Sequence, residues 1–308
     1  MYKLIEISLI ITLFLFSACN GNKSVQQNKT AEQTIITDHF ELHTPANQAI
    51  ALLVLFGGFP ETPARIKKEF DIIELARKNG IAVMLMNFNR KLWLEESEKA
   101  TLAQTLATAT AAHKVKTTKI FIGGFSSGGN ISLLLANYLV RTKSSVQPTG
   151  VFVVDSPIDL LELYKCSKRN VERNFMAGSV RESQATIERH DNFFGKPESG
   201  IEKYELYSPY ISKTNNITNL SALKDVSIRL YTEPDIKWWK ENRQNDYEDM
   251  NACYIKMLTT QLKSQLGNPN IQLIETENKG YRANGMRHPH SWSIVNKEDL
   301  IGWILEHS

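Results

Sequence analysis

Glycines stand at the ends of the chain's most apolar runs, and that placement limits the possible folds more than any other feature. The clearest case is Lys119-Ile-Phe-Ile-Gly-Gly-Phe-Ser126-Ser-Gly-Gly-Asn-Ile-Ser-Leu-Leu-Leu-Ala-Asn-Tyr138. Its first part is a continuous apolar run, as in a strand covered on both faces. Beyond it, Ile131, Leu134, Leu135 and Tyr138 recur at the spacing of one helix face. The turn between them is Gly124-x-Ser126-x-Gly128. So tight a strand-to-helix turn holds the serine at strained dihedrals and tolerates only small residues two positions to either side. It pushes the hydroxyl out over the sheet edge and sets the following backbone N–H at a helix N-terminus, where negative charge is favoured. Ser127 does not fit this frame, because Phe125 would then occupy a position that must be small. Ser126 is the candidate nucleophile.

The same rhythm extends along the chain. Ala49 to Phe56 is a second buried run and ends in Gly57-Gly58-Phe59-Pro60, where the backbone can approach a ligand closely. A helix with Ile66, Phe70 and Ile73 on one face stops near Asn79-Gly80, and Ile81 to Phe88 is the next strand. Arg90, Lys91 and Trp93 either line a pocket mouth or form a solvated loop. In the following helix His113 shares the stripe of Leu102, Leu106 and Ala109, which makes it a helix-end or core residue. Gly150 to Val154 is a strand ending at Asp155, and Val226 to Thr232 is another, followed by Glu233-Pro234-Asp235. A polar helix is expected from about Asp246 to Leu266, then a last strand from Ile271 to Ile274. A long loop carries Arg287-His288-Pro289-His290-Ser291-Trp292, and a final helix begins near Lys297. Alternating strands and helices of this kind specify an α/β fold with a doubly wound, mostly parallel sheet. The ligand site of such a sheet lies outside the carboxyl ends of its strands, where Gly58, Ser126 and Asp155 all fall. From Pro157 to about Thr214 the rhythm breaks into a charged, aromatic stretch, read as a helical cap inserted over that edge. Its aromatics, Tyr164, Phe193, Phe194 and Tyr204 among them, are either a small core of the cap or a binding surface.

At 308 residues, 42% of them hydrophobic, the chain has material for one large core, and a single domain with an insertion is expected. A net charge of +3 without a basic run gives no electrostatic support for nucleic-acid binding. No spacing suggests a metal site, and no cofactor is implied. The N-terminus reads separately: Lys3, an apolar run from Ile7 to Phe16, and small residues before Cys19 form an export signal over residues 1–18. Phe16-Ser-Ala-Cys19 resembles the bacterial lipobox, which implies lipidation of Cys19 and a membrane-anchored protein facing the periplasm or cell surface. Residues 19–34 read as a polar, flexible tether. Cys166 and Cys253 would then meet an oxidising compartment, where they are either paired or free.

The order of strand, glycine loop, strand, serine elbow, strand, insertion, strand with carboxylates, strand with histidine loop and closing helix resembles the α/β-hydrolase superfamily over residues 35–308. The chain order Ser, Asp or Glu, His matches that family's known template. Gly57-Gly58-Phe59-Pro60 is similar to the family's oxyanion segment, with Gly57 where His is common, and the backbone donor is unaffected. The resemblance implies a serine hydrolase acting through an acyl-enzyme, on carboxylic esters first and amides or peptides second. Ser126 is the expected nucleophile, His290 the base and Asp235 the acid, with Glu233 and Asp155 as alternative acids and His288 as a rival base. The backbone N–H groups of Phe59 and Ser127 are the expected oxyanion donors. A binding lipoprotein that keeps the fold without turnover is the alternative from a different class.

Overall fold

The computed structural model describes residues 31–113, 115 and 118–307. The export signal, Cys19 and most of the expected tether lie outside the described residues. The sheet has eight strands: β1 (Gln33–Ile36), β2 (Phe40–Thr44), β3 (Ala51–Phe56), β4 (Ile81–Met86), β5 (Ile120–Phe125), β6 (Pro148–Val154), β7 (Ser227–Thr232) and β8 (Ile271–Glu275). Their order across the sheet is β1-β2-β4-β3-β5-β6-β7-β8. The pairings β1–β2 and β2–β4 are antiparallel, and the other five are parallel. Gln33 and Thr34, assigned to the tether from sequence, belong to β1 and pair with Thr44 and His43.

The long apolar runs became central strands because both their faces are covered. In β3, Leu52, Val54 and Phe56 point into one hydrophobic cluster, and Ala51, Leu53 and Leu55 into the other. The first cluster is closed by α3 (Glu96–Ala112), α4 (Ser127–Arg141) and α9 (Asn251–Leu266), which contribute Leu106, Leu135 and Leu258. The second is closed by α1 (Pro63–Glu69), α2 (Ile73–Lys78) and α10 (Lys297–Glu306), with Ile66, Ala76 and Ile301 packed inward. The single helix expected over Ile66 to Ile73 is thus two, broken after Phe70. His113 is the C-cap of α3 and meets the Phe40 ring edge-on at 6.2 Å.

The insertion between β6 and β7 is helical: α5 (Leu160–Arg173), α6 (Ala177–Phe193) and α7 (Glu202–Tyr207). Asp159 pins both its ends, because one carboxylate accepts from Glu162 N at 3.0 Å and from Ser212 N at 2.7 Å. Its aromatics build a core of their own, in which Tyr164, Phe194 and Tyr204 pack with Leu160, Leu161 and Trp93. Trp93 is therefore buried under the cap, while Lys91 pairs with Glu98. His190 sits in the same core. Its Nδ1–H donates to Thr186 O at 2.8 Å, and burial pushes its pKa down to about 4. A helix absent from the sequence reading, α8 (Ile236–Arg243), begins directly after β7. Cys166 and Cys253 are both free thiols.

Candidate active site

The chain runs from β3 to β4 on one side, and β5 lies on the other side of β3. The carboxyl ends of β3 and β5 therefore flank the point where the strand order reverses, where such sheets bind ligands. Ser126 stands at the end of β5 with φ 53° and ψ −125°, in a region that non-glycine residues occupy at a cost of about 1–3 kcal/mol. The neighbouring backbone explains the glycines. A Cβ on Gly124 would come within 2.2 Å of the Gly128 carbonyl, and one on Gly128 within 2.3 Å of Phe56 O. Ser126 N donates to Val154 O at 2.9 Å, which ties the elbow to β6.

Asp155 follows β6 directly and takes a left-handed conformation, φ 43°. Val154 is paired with Tyr231, so Asp155 stands level with Thr232. The Thr232 hydroxyl donates to Asp155 Oδ1 at 2.7 Å, and Asn251 Nδ2 donates to its main-chain oxygen at 2.8 Å. The free oxygen, Oδ2, lies 2.6 Å from His290 Nδ1. A carboxylate can only accept here, so Nδ1 carries the proton and Nε2 is left with its lone pair. The His290 ring also leans on Phe125, the residue before the elbow serine, at a centroid distance of 4.5 Å. His290 and Ser126 line one cavity of about 930 Å³ beneath the cap. Among the described residues no hydrogen bond joins the Ser126 hydroxyl to the ring.

Of the three carboxylates expected as the acid, Asp155, and not Asp235 or Glu233, meets the histidine. Asp235 caps α8, where Oδ1 accepts from Trp238 N at 3.0 Å, and its other oxygen pairs with Arg287 at 2.6 Å. Glu233 is buried. It accepts from Thr276 Oγ1, Lys279 N and Gly280 N and pairs with Arg287 at 2.5 Å. Both carboxylates are thus spent on the loop that carries His290. His288, the rival base, lies against Trp238 at 4.8 Å, and burial, with His290 and the cations Arg282 and Arg243 nearby, pushes its pKa down to about 3.

The Gly57–Pro60 loop, expected to supply an oxyanion donor, is held by Glu61, a residue without a signal in the sequence. Glu61 Oε2 accepts from Gly58 N and from Trp292 Nε1, both at 3.0 Å, and so links that loop to the histidine loop. Trp292 is fully buried and stacks on Phe70 at 4.5 Å. With Gly58 N engaged, the N–H groups of Phe59 and of Ser127, the first residue of α4, have no partner among the described residues. Nothing in the spacing of Glu61 and Trp292 along the sequence signals that the two meet.

This sheet, elbow and cap define the α/β-hydrolase fold. No family model matches the chain, and no curated protein matches its sequence. Solved structures do share the fold. A fungal esterase from Rhizomucor miehei is 14% identical with a TM-score of 0.53, over 90% of this chain and 81% of its own. An esterase of Pyrococcus furiosus is 14% identical with a TM-score of 0.52, over 99% of this chain and 97% of its own. An S-formylglutathione hydrolase from Agrobacterium tumefaciens is 11% identical with a TM-score of 0.52, over 90% and 94%.

Proposed function

We propose that the chain is a serine hydrolase that cleaves a carboxylic ester through an acyl-enzyme. The observation that carries this reading is the 2.6 Å contact between Asp155 and the Nδ1 of His290, in the cavity that Ser126 enters from the elbow. In this mechanism Ser126 Oγ attacks the ester carbonyl carbon while His290 Nε2 takes the hydroxyl proton. Asp155 keeps the ring in the required tautomer and stabilises the imidazolium without itself being protonated. The carbonyl oxygen becomes an oxyanion against Phe59 N–H and Ser127 N–H, at the positive end of α4. Collapse of this adduct expels the alkoxide, which takes the proton from His290. Water then attacks the acyl-serine with His290 again as base, and carboxylate product and free serine result. The esterase neighbours support the reaction class at the level of fold.

Labelling with a fluorophosphonate tests the reading. The wild-type chain is expected to be labelled, and Ser126→Ala is not; a folded wild-type chain that stays unlabelled would favour a binding protein without turnover. Short p-nitrophenyl esters are expected to turn over faster than aminoacyl anilides, and the opposite order would make the protein a peptidase or amidase. Anchoring through Cys19 belongs to the same proposal and rests on the lipobox-like Phe16-Ser-Ala-Cys19. Labelled palmitate should enter the wild-type protein in bacterial cells and be absent from Cys19→Ser.

A further inference from the structure

The cavity around Ser126 is lined by four arginines, Arg65, Arg189, Arg243 and Arg282. Arg65 is already paired, 2.7 Å from Glu69. The other three form no ion pair among the described residues. They come from three separate parts of the chain: Arg189 from α6 of the cap, Arg243 from the end of α8, and Arg282 from the loop before His290. Arg189 lies over the Phe59 ring at 4.7 Å, beside the oxyanion segment. Arg282 lies over the Phe125 ring at 5.6 Å, beside the nucleophile. The Arg243 guanidinium donates to the Met176 sulfur at 2.9 Å, a weak acceptor.

The cavity's carboxylates do not cancel these charges. Asp249 is taken by two other arginines, Arg169 at 2.6 Å and Arg173 at 2.7 Å. Glu61 Oε2 is committed to Gly58 and Trp292, and the charges of Glu61 and Glu69 reach Arg282 without an ion pair. Glu182 is exposed, and its charge reaches Arg243 without an ion pair. A guanidinium is always charged and offers five donors, and its desolvation is offset only when an acceptor fills them. For Arg243 and Arg282 burial works against the charged form.

We propose that the ester this cavity takes carries an anionic group, a carboxylate or a phosphate, held by Arg189, Arg243 and Arg282 while Ser126 attacks the ester carbonyl. Three guanidiniums that converge from separate elements discriminate by charge and leave the apolar part of the substrate to the remaining wall. Bidentate Arg–carboxylate or Arg–phosphate contacts give that selection its strength. This inference rests on the hydrolase reading above, and its test separates the two.

The first arm compares mono-p-nitrophenyl glutarate with its methyl ester, which has the same chain without the charge. The wild-type chain is expected to prefer the anion by about tenfold or more in kcat/KM, a preference that shrinks as salt is added. Arg282→Gln and Arg243→Gln each lower that ratio, Arg282→Lys retains more of it than Arg282→Gln, and Arg141→Gln on the far end of α4 leaves it unchanged. A wild-type ratio at or below one, or a ratio untouched by both glutamine variants, overturns the proposal. The second arm needs no turnover: calorimetric titration of Ser126→Ala with glutarate, inorganic phosphate and neutral glutaramide. Binding of either anion without the amide supports an anion site, and the tighter of the two identifies its source. Equal binding of all three, or of none, contradicts it. Fluorophosphonate labelling of the wild type, read in parallel, reports separately on the hydrolase itself.

Discussion

Asp155 beyond β6 and the pair Glu233 and Asp235 beyond β7 stand at neighbouring strand ends on the same rim of the sheet. Asp155 has one oxygen fixed by Thr232 and the other directed at His290. Glu233 and Asp235 share Arg287, and their remaining acceptors are filled by backbone N–H groups and a helix end. One carboxylate is left available to an imidazole; the others are neutralised to hold the loop that delivers it. Position after a strand therefore does not select the acid of such a site. On the proposed mechanism the acid is the carboxylate whose neighbours leave one oxygen facing the ring.

The difference between these two strand ends can be broken at several points. Asp155→Asn should leave the fold intact but present an amide N–H to Nδ1 or favour the wrong tautomer, with kcat falling about 10⁴-fold. Asp235→Asn should cost less than about tenfold, because Arg287 keeps Glu233. Steady-state ester hydrolysis with melting temperatures measured beside it checks both, and a larger loss in Asp235→Asn would invert the assignment. Glu233→Ala leaves Arg287 short of a buried partner and the N–H groups of Lys279 and Gly280 without an acceptor. It should destabilise by about 3–5 kcal/mol in urea melts and reduce activity through a loosened histidine loop.

His190 supplies a contrast in pH. Its folded pKa, about 4, lies below the unfolded value, so the unfolded chain binds the extra proton between those two points. Its contribution is complete above about pH 6.5 and is lost as pH falls toward 4, on the order of a few kcal/mol. His190→Phe should flatten that acid limb in melts between those values. A moderate effect on catalysis is expected from Glu61→Ala, which frees Gly58 N and Trp292 Nε1. It should lower kcat by roughly tenfold with little change in KM, as loss of oxyanion alignment requires.

Much of this architecture was legible in the residues. Apolar runs such as Leu52 to Phe56 specify strands buried on both faces, and Gly124 and Gly128 mark a turn whose backbone leaves no room for a Cβ. The choice among Asp155, Glu233 and Asp235 was not legible, because it depends on which strand end the loop after Gly280 reaches. Asp235 could have been read as the N-cap of Ile236-Lys-Trp-Trp, a role that removes it as a free acid. That helix was missed because its residues are mostly polar and none of them is buried. The arginines of the cavity were invisible for a different reason: nothing in the spacing of Arg189, Arg243 and Arg282 indicates that three distant elements converge.

The central claim is that Asp155 holds the imidazole of His290, and a proton spectrum tests it most directly. Nitrogen-labelled protein should show a far-downfield N–H resonance correlated with the Nδ1 of His290. The resonance should persist in Asp235→Asn and vanish in Asp155→Asn. A signal that survives the change at residue 155 and disappears with the change at residue 235 would contradict the account.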